Sequence, residues 1–221
     1  MILANNDFEQ TLLLPVDVLD WLSDANAQDL TTFDEVQREF IESGFIDTQG
    51  KWTKDGERIV QIIRSADAEF SVSHLHAVDE NFLRLYIGQE ESIVCSKLIG
   101  ASGIAGDTFL FSRTTHENAL QHVFAWVGLP VVAMPEDNES SISSELLTSR
   151  GFSEAARGWL VTCSALPGGL HIIFHQNFLW RVSNIIETGS ISPLLALEGE
   201  DTLSFSMLIH YVWAQCFAEI G

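Results

Sequence analysis

Basic side chains are scarce in this 221-residue sequence. It contains 11 Lys and Arg residues and 31 Asp and Glu residues, which gives a formal net charge of −20. Lys and Arg are missing altogether from residues 1–37, 114–149 and 182–221. Because so negative a surface repels phosphate groups, we predict binding neither to nucleic acid nor to anionic membranes. The acidic excess either keeps the protein soluble, complements a basic or amide-rich partner surface, or imitates nucleic acid.

Cysteine is also rare, and Cys95, Cys163 and Cys216 form no CxxC pair. The sequence therefore predicts neither a disulfide framework nor a zinc knuckle, and a reducing cytoplasm is the expected compartment. The first residues, MILANNDFEQ, lack the basic region of a signal peptide. Residues 158–180 contain no Asp, Glu, Lys or Arg, but the LPGG at 166–169 predicts two strands joined by a turn instead of a membrane-spanning helix.

Motifs for nucleophilic and phosphate chemistry are absent. The sequence contains no GxSxG, and the glycines of GASGIAG at 100–106 lack the spacing of a nucleophile elbow. No GKS or GKT follows them, as a phosphate-binding loop requires. We interpret this Gly-rich stretch as a mobile hairpin loop.

Histidine pairs are the next candidates for chemistry. His74 and His76 share one predicted strand face, and His171 and His175 share another. A metal site needs a third or fourth ligand, and neither an HExxH motif nor a nearby cysteine supplies one. We therefore predict no metal site, and surface or interface roles for the histidines.

The paired carboxylates Glu90 and Glu91 fall in a predicted turn between two strands. General acid–base catalysis needs a carboxylate in a sheltered cleft with a raised pKa, and a solvated hairpin tip offers no shelter. We therefore predict a non-catalytic protein without a cofactor, in which the tip, if it has a function, contacts another protein. An unrecognised hydrolase is a lesser alternative.

Apolar residues are plentiful, at 46% of the sequence with 14 Phe and 6 Trp, which suffices for a substantial core and argues against disorder. The pattern of the first third predicts three helices. One begins near Pro15, a second begins at the capping-box pattern of Thr32 and Glu35, and a third spans residues 54–66. Gly44 is expected to end the second of these helices.

From residue 68 the pattern changes to short strands, AEFSVSHLH, NFLRLYIG, ESIVCSKLIG and DTFLFS (107–112), followed by a helix that ends at Gly128. After an acidic linker and a short helix around 142–150, four further strands are predicted. They are GWLVTCSAL, GLHIIFHQ, FLWRVSNII and DTLSFS (201–206), and a final helix follows them.

The near-copies DTFLFS and DTLSFS each follow three predicted strands and precede a predicted helix, and a Gly-Phe pair precedes each set. This order predicts an α+β fold of two pseudo-symmetric halves, each an antiparallel β-sheet of about four strands with flanking helices. The halves are expected at 1–130 and 131–221, packed as one compact unit. Coincidence within an ordinary α+β protein is the alternative.

The last predicted helix lies within TLSFSMLIHYVWAQCFA, which has no Asp, Glu, Lys or Arg for 17 residues. Apolar side chains on most sides predict burial on more than one side. The helix is either a core element between two layers, or it contributes Tyr211, Trp213 or Phe217 to a partner surface, since aromatic residues commonly anchor interfaces.

The repeated strand–helix plan, the acidity and the lack of catalytic residues resemble the EspG-type chaperones of actinobacterial type VII (ESX) secretion systems. The resemblance implies a central sheet flanked by helical bundles, and a monomeric cytoplasmic adaptor that masks the apolar tip of a helical secreted heterodimer. It places partner contacts, by position, at Gln89, Glu90 and Glu91 and around Trp213 and Phe217. The chain is shorter than that family leads us to expect, and its second half lacks a counterpart of the helix at 54–66.

An immunity protein or antitoxin is the alternative function. Such proteins are often strongly acidic because they cover the basic active site of a toxin, and a charge of −20 accelerates that capture by electrostatic steering.

Overall fold

The computed structural model describes residues 10–15, 34–42, 44–64, 66, 68–75, 82–97, 108–135, 147–148, 151–152, 157–164, 166–186 and 194–218. The helices within these ranges are α1 (Asp34–Glu42), α2 (Lys54–Arg64), α3 (His116–Val127) and α4 (Thr202–Ala218). The strands β1 to β11, in chain order, are Gln10–Pro15, Ala68–His74, Phe82–Ile87, Ser92–Lys97, Thr108–Thr114, Leu147–Thr148, Gly151–Phe152, Arg157–Cys163, Leu166–His175, Phe178–Ile186 and Leu194–Glu200.

The described residues divide into two compact units. Unit 1 consists of the described residues within Met1–Glu69 and Leu83–His122. Unit 2 consists of those within Phe70–Phe82 and Val123–Glu219. Strand β2 groups with the later strands because it pairs with β8. The halves at 1–130 and 131–221 stay a prediction.

In unit 1, strands β1, β5, β4 and β3 lie side by side in that order, and every pairing is antiparallel. Helix α2 packs on β4 and directs Ile59 and Ile63 into the core. Leu85 and Ile93, from paired strands, are fully buried. Cys95 is fully buried as well, and this burial raises the pKa of its thiol.

The turn that leads into α2 is compact. The Phe40 ring packs on Phe45 and on Trp52, with ring centroids 6.0 Å and 5.8 Å apart. Gly44 has a φ of 74°, which lets the chain reverse after α1, as the sequence predicts. Gly56 is required for a different reason, since a Cβ there would lie 2.0 Å from the carbonyl oxygen of Phe45.

In unit 2, strands β2, β8, β9, β10 and β11 lie side by side in that order, again with antiparallel pairings. Helix α4 packs on β8 and buries Phe205 and Ile209. Trp213 of α4 meets Phe70 of β2 edge-on, with ring centroids 5.3 Å apart. These contacts fix which face of α4 points into the core.

The α+β class is confirmed, and so are the helices at α1, α2 and α3. The strand count differs from the prediction, because unit 2 contains five strands in its sheet and also the two-residue ribbon strands β6 and β7. The pseudo-symmetry of two halves is not confirmed.

The second near-copy, DTLSFS at 201–206, is not a strand. It forms the start of α4, whereas most of the first copy, DTFLFS, lies in β5. Asp201 caps this helix, and its Oδ1 accepts a hydrogen bond from the N–H of Ser204 at 2.6 Å. This bond lowers the pKa of Asp201. The last strand of unit 2 is instead β11, which the sequence analysis did not identify.

Two predicted helices also require correction. Pro15 is the last residue of β1, paired with Thr108, so it does not begin a helix. Residues 147–148, within the predicted short helix at 142–150, form β6, and the rest of that helix lies outside the described residues.

The sequence also predicts a loop or a turn at two Gly-containing stretches. The Gly-rich stretch at 100–106 lies outside the described residues. The LPGG residues form the start of β9, which pairs antiparallel with β8, so two strands are confirmed there, whereas the predicted turn at LPGG is wrong.

Candidate functional site

The turn between β3 and β4 holds the first predicted contact group, Gln89, Glu90 and Glu91, in unit 1. A hydrogen bond from the N–H of Gly88 to the carbonyl oxygen of Glu91, 3.0 Å long, closes the turn. Gln89 and Glu90 are exposed, as predicted for a hairpin tip, but Glu91 is only 8% exposed. A solvated tip is therefore the wrong description for Glu91.

Two arginines hold the buried Glu91 carboxylate. Arg58 of α2 places its Nε 2.6 Å from Oε1, and Arg113 of β5 places its Nε 2.5 Å from Oε2. Arg58 also pairs with Glu90, and Arg113 Nη1 lies 3.7 Å from Asp55 Oδ1. A buried charge is tolerated only when it is paired, and these pairs fasten the turn to α2 and β5.

An open cleft of about 690 Å³ lies between the first turns of α2 and the β3–β4 turn. Its lining is largely charged and includes Lys54, Asp55, Glu57 and Arg58. Small-molecule sites are predominantly apolar with a few placed polar groups. The cleft therefore resembles a surface ion-pair network more than a ligand pocket.

The second predicted contact group, Tyr211, Trp213 and Phe217, lies on α4 in unit 2. Trp213 is 8% exposed and contacts the rings of Phe70 and Phe217, each at 5.3 Å between centroids. Phe217 is half-buried. Tyr211 is 58% exposed. Of this group, Tyr211 presents its side chain to solvent, whereas Trp213 serves the core.

The exposed residues of α4 all lie on one face of the helix, and none of them is an Asp, Glu, Lys or Arg. Leu203 is 69% exposed and Met207 is 63% exposed, and with Tyr211 they form a row at four-residue spacing. The opposite side is buried. We call the exposed set the α4 face; its members are Leu203, Met207, His210, Tyr211, Ala214 and Ala218.

This face differs from the usual surface of a helix, whose solvent side carries charged and polar residues. A contiguous exposed apolar patch commonly marks a protein-interaction site. The sequence prediction includes Tyr211 but not Leu203 or Met207, because it considered only aromatic anchors on this helix and assigned 201–206, which contains Leu203, to a strand. The signal was present, since a 17-residue helix without a charged residue has no charged face to turn outward.

The segment 129–135 lies beside the first turn of α4. The Thr202 hydroxyl donates to the carbonyl of Pro130 at 2.6 Å, and it accepts from the N–H of Val132 at 2.8 Å. Val131 and Met134 of this segment are exposed. Val131 lies between the two residues that bond to Thr202 at the start of α4, and Met134 follows them. We call the α4 face together with Val131 and Met134 the α4 surface.

Gly199 helps to hold this segment in place. A Cβ at Gly199 would lie 2.2 Å from Cγ of Pro135, so the absence of a side chain admits the proline. The segment is thus held at Thr202 through Pro130 and Val132, and at Gly199 through Pro135.

The half-buried His74 in unit 2 packs between indole rings, with ring centroids 4.7 Å from Trp126 and 6.0 Å from Trp159. Burial, and secondarily the charge of Arg157, lower the pKa of His74. Its position is that of a packed core-edge histidine. Its predicted partner on the same face, His76, lies outside the described residues.

His171 and His175 lie on one face of β9, as predicted, opposite Val182 and Phe178 of β10. Burial lowers the pKa of His171. Within the part of the chain that the structure describes, no group of three or more His, Cys, Asp or Glu side chains is arranged to hold a metal ion.

No protein-family model matches the chain, and no curated protein matches it significantly. None of the helices described here combines the length and the apolar character needed to cross a bilayer.

Proposed function

We propose that this protein is a non-catalytic, protein-binding chaperone or adaptor that uses the α4 surface to cover an apolar helical region of a partner. The observation that carries the proposal is the uncharged exposed row of Leu203, Met207 and Tyr211 on a helix whose other side is anchored in the core. Exposing this row to water is unfavourable, and a partner that covers it removes the apolar area from water.

The more specific proposal is a cytoplasmic, monomeric chaperone of a type VII secretion system, bound to a helical secreted pair. This assignment rests on the resemblance in the order of elements. The row on α4 supports it to the extent that such a chaperone has to mask an apolar tip, and the row lies in the C-terminal helical region where the resemblance places one of the contacts.

A second candidate is an acidic immunity protein that neutralises a toxin, and the net charge of −20 favours it. The two candidates differ in the force that drives binding. Toxin capture by charge slows steeply as ionic strength rises, because exposed charges are screened beyond about 8 Å at physiological salt. Binding through the α4 surface persists at high salt.

The test uses the full chain as bait in extract from the organism that encodes it, followed by mass-spectrometric identification and reconstitution of the purified pair. We expect a helical pair whose affinity falls at least about tenfold in Met207→Asp, since a charge in a desolvated apolar contact is unfavourable. Gln121→Asp is the matched control, because Gln121 is an exposed residue of α3 that does not belong to the α4 surface.

Two results would contradict the proposal. One is a reconstituted partner whose affinity is the same for the wild-type chain and Met207→Asp. The other is a toxin enzyme as the identified partner, bound with a steep salt dependence, which would establish the second candidate instead.

A further inference from the structure

The acidic residues that border the α4 surface narrow the kind of partner that fits it. At the N-terminal end of α4, Arg181 pairs with both Glu198 and Glu200, so that one guanidinium faces two carboxylates. Asp201 follows directly, and its carboxylate, which accepts a hydrogen bond from the N–H of Ser204, adds a further negative charge. This border is therefore negative.

The C-terminal end of α4 has the same sign. The last carbonyl groups of a helix carry a partial negative charge, which a basic side chain in the last turn commonly offsets. The last turn of α4 has no basic residue. The sequence also contains no Lys or Arg over 182–221 or over 114–149, the two stretches that supply the α4 surface. An uncharged apolar row thus lies between two negative ends.

We propose that the α4 surface binds a single amphipathic helix of a partner protein whose apolar face is bordered by Lys or Arg residues. The inference rests on the proposed function and adds the chemistry of the partner. The row from Leu203 to Tyr211 spans roughly 12 Å at 1.5 Å per residue, which matches about two turns of a second helix packed along α4. Val131 and Met134 then contact that helix beside the first turn of α4.

Charge complementarity also decides against a second copy of this chain as the occupant. Two copies related by a two-fold axis would bring identical surfaces together, and each surface has the same negative ends. Each copy also carries a net charge of −20. A basic-bordered helix places opposite charges at both ends, which favours that partner and disfavours self-association.

The test uses two synthetic amphipathic peptides of about 18 residues, a length at which helices can form. They share one apolar face and differ only at the bordering positions, which are lysine in one peptide and glutamate in the other. The affinity of each peptide for the full-length chain is measured at low ionic strength and at about 0.5 M salt. The same titrations use Met207→Ser, Met207→Lys and the control Gln121→Ser.

We expect the lysine-bordered peptide to bind at least about tenfold more tightly than the glutamate-bordered one at low salt, and to retain measurable binding at high salt. Met207→Ser should weaken it by at least about tenfold, since an apolar anchor is lost. Met207→Lys should in addition reduce the preference for lysine borders. Gln121→Ser should leave the affinities unchanged.

Other outcomes overturn the inference in distinguishable ways. If both peptides bind equally well and Met207→Ser weakens both, the partner does not need a basic border. The proposed function then still stands. If the lysine-bordered peptide binds wild type and Met207→Ser equally well and loses its binding at high salt, the binding is general attraction to an acidic protein and does not use the α4 surface. A dimer of the chain that Met207→Ser dissociates assigns the surface to a second copy. Absence of binding by both peptides also overturns it.

Discussion

Single side chains in this protein have roles that depend on the element facing them, and the β3–β4 turn illustrates this. Glu90 and Glu91 are identical in type and adjacent in the chain, yet Glu90 is exposed and Glu91 is buried between Arg58 and Arg113. The sequence predicted the turn correctly. It did not predict the burial of Glu91, because the two arginines come from distant positions in the chain.

Glu91→Gln is expected to lower the free energy of unfolding by about 2–4 kcal/mol, because it leaves the largely buried Arg113 without its carboxylate. Glu90→Gln is the matched control. The Glu90 side chain is 78% exposed, so its loss should change stability by less than about 1 kcal/mol. Urea unfolding of both variants measures the difference, and equal effects would contradict a structural role for Glu91.

Among the helices, α4 shows that nearly the same short sequence forms a strand in one place and a helix in another. The residues of DTLSFS alternate in a way that suits a strand, and the analogy with DTFLFS predicts one. Asp201 instead caps a helix through Ser204, and Phe205 becomes a fully buried residue of its first turns. Both near-copies begin with Asp-Thr, so the different structures follow from the surrounding contacts, which outweigh the local pattern.

Stability at the start of α4 should depend on pH through Asp201. Its pKa is lowered by the hydrogen bonds from Ser204, so the ionised cap contributes fully above the ordinary Asp pKa of about 3.9 and is lost as the pH falls through the lowered value. Asp201→Ser retains a capping hydroxyl that does not titrate in this range.

We therefore expect the free energy of unfolding of the wild-type chain, relative to Asp201→Ser, to decrease as the pH is lowered from neutral to below about 4. Chemical unfolding of both proteins across this range supplies the measurement. A relative stability that does not change with pH would show that the Asp201 carboxylate does not cap α4 as described.

At the scale of the whole molecule, the acidic net charge and the exposed apolar face of α4 both fit the proposed protein-binding role. The class of fold and most strands and helices followed from hydrophobic period and turn residues. The α4 surface did not follow from the sequence. Which of its residues are exposed depends on which side of this uniformly apolar helix packs on β8. An acidic protein with an uncharged apolar face is suited to hold a partner by burial while its charge keeps it soluble.

Hydrogen exchange of the full chain with and without its reconstituted partner tests the central claim most directly, since it reports which backbone amides the partner protects. The account predicts slower exchange in the first turns of α4 and in residues 129–135, with the β3–β4 turn unchanged. Protection confined to the β3–β4 turn and α2, with α4 exchanging as in the free chain, would contradict it.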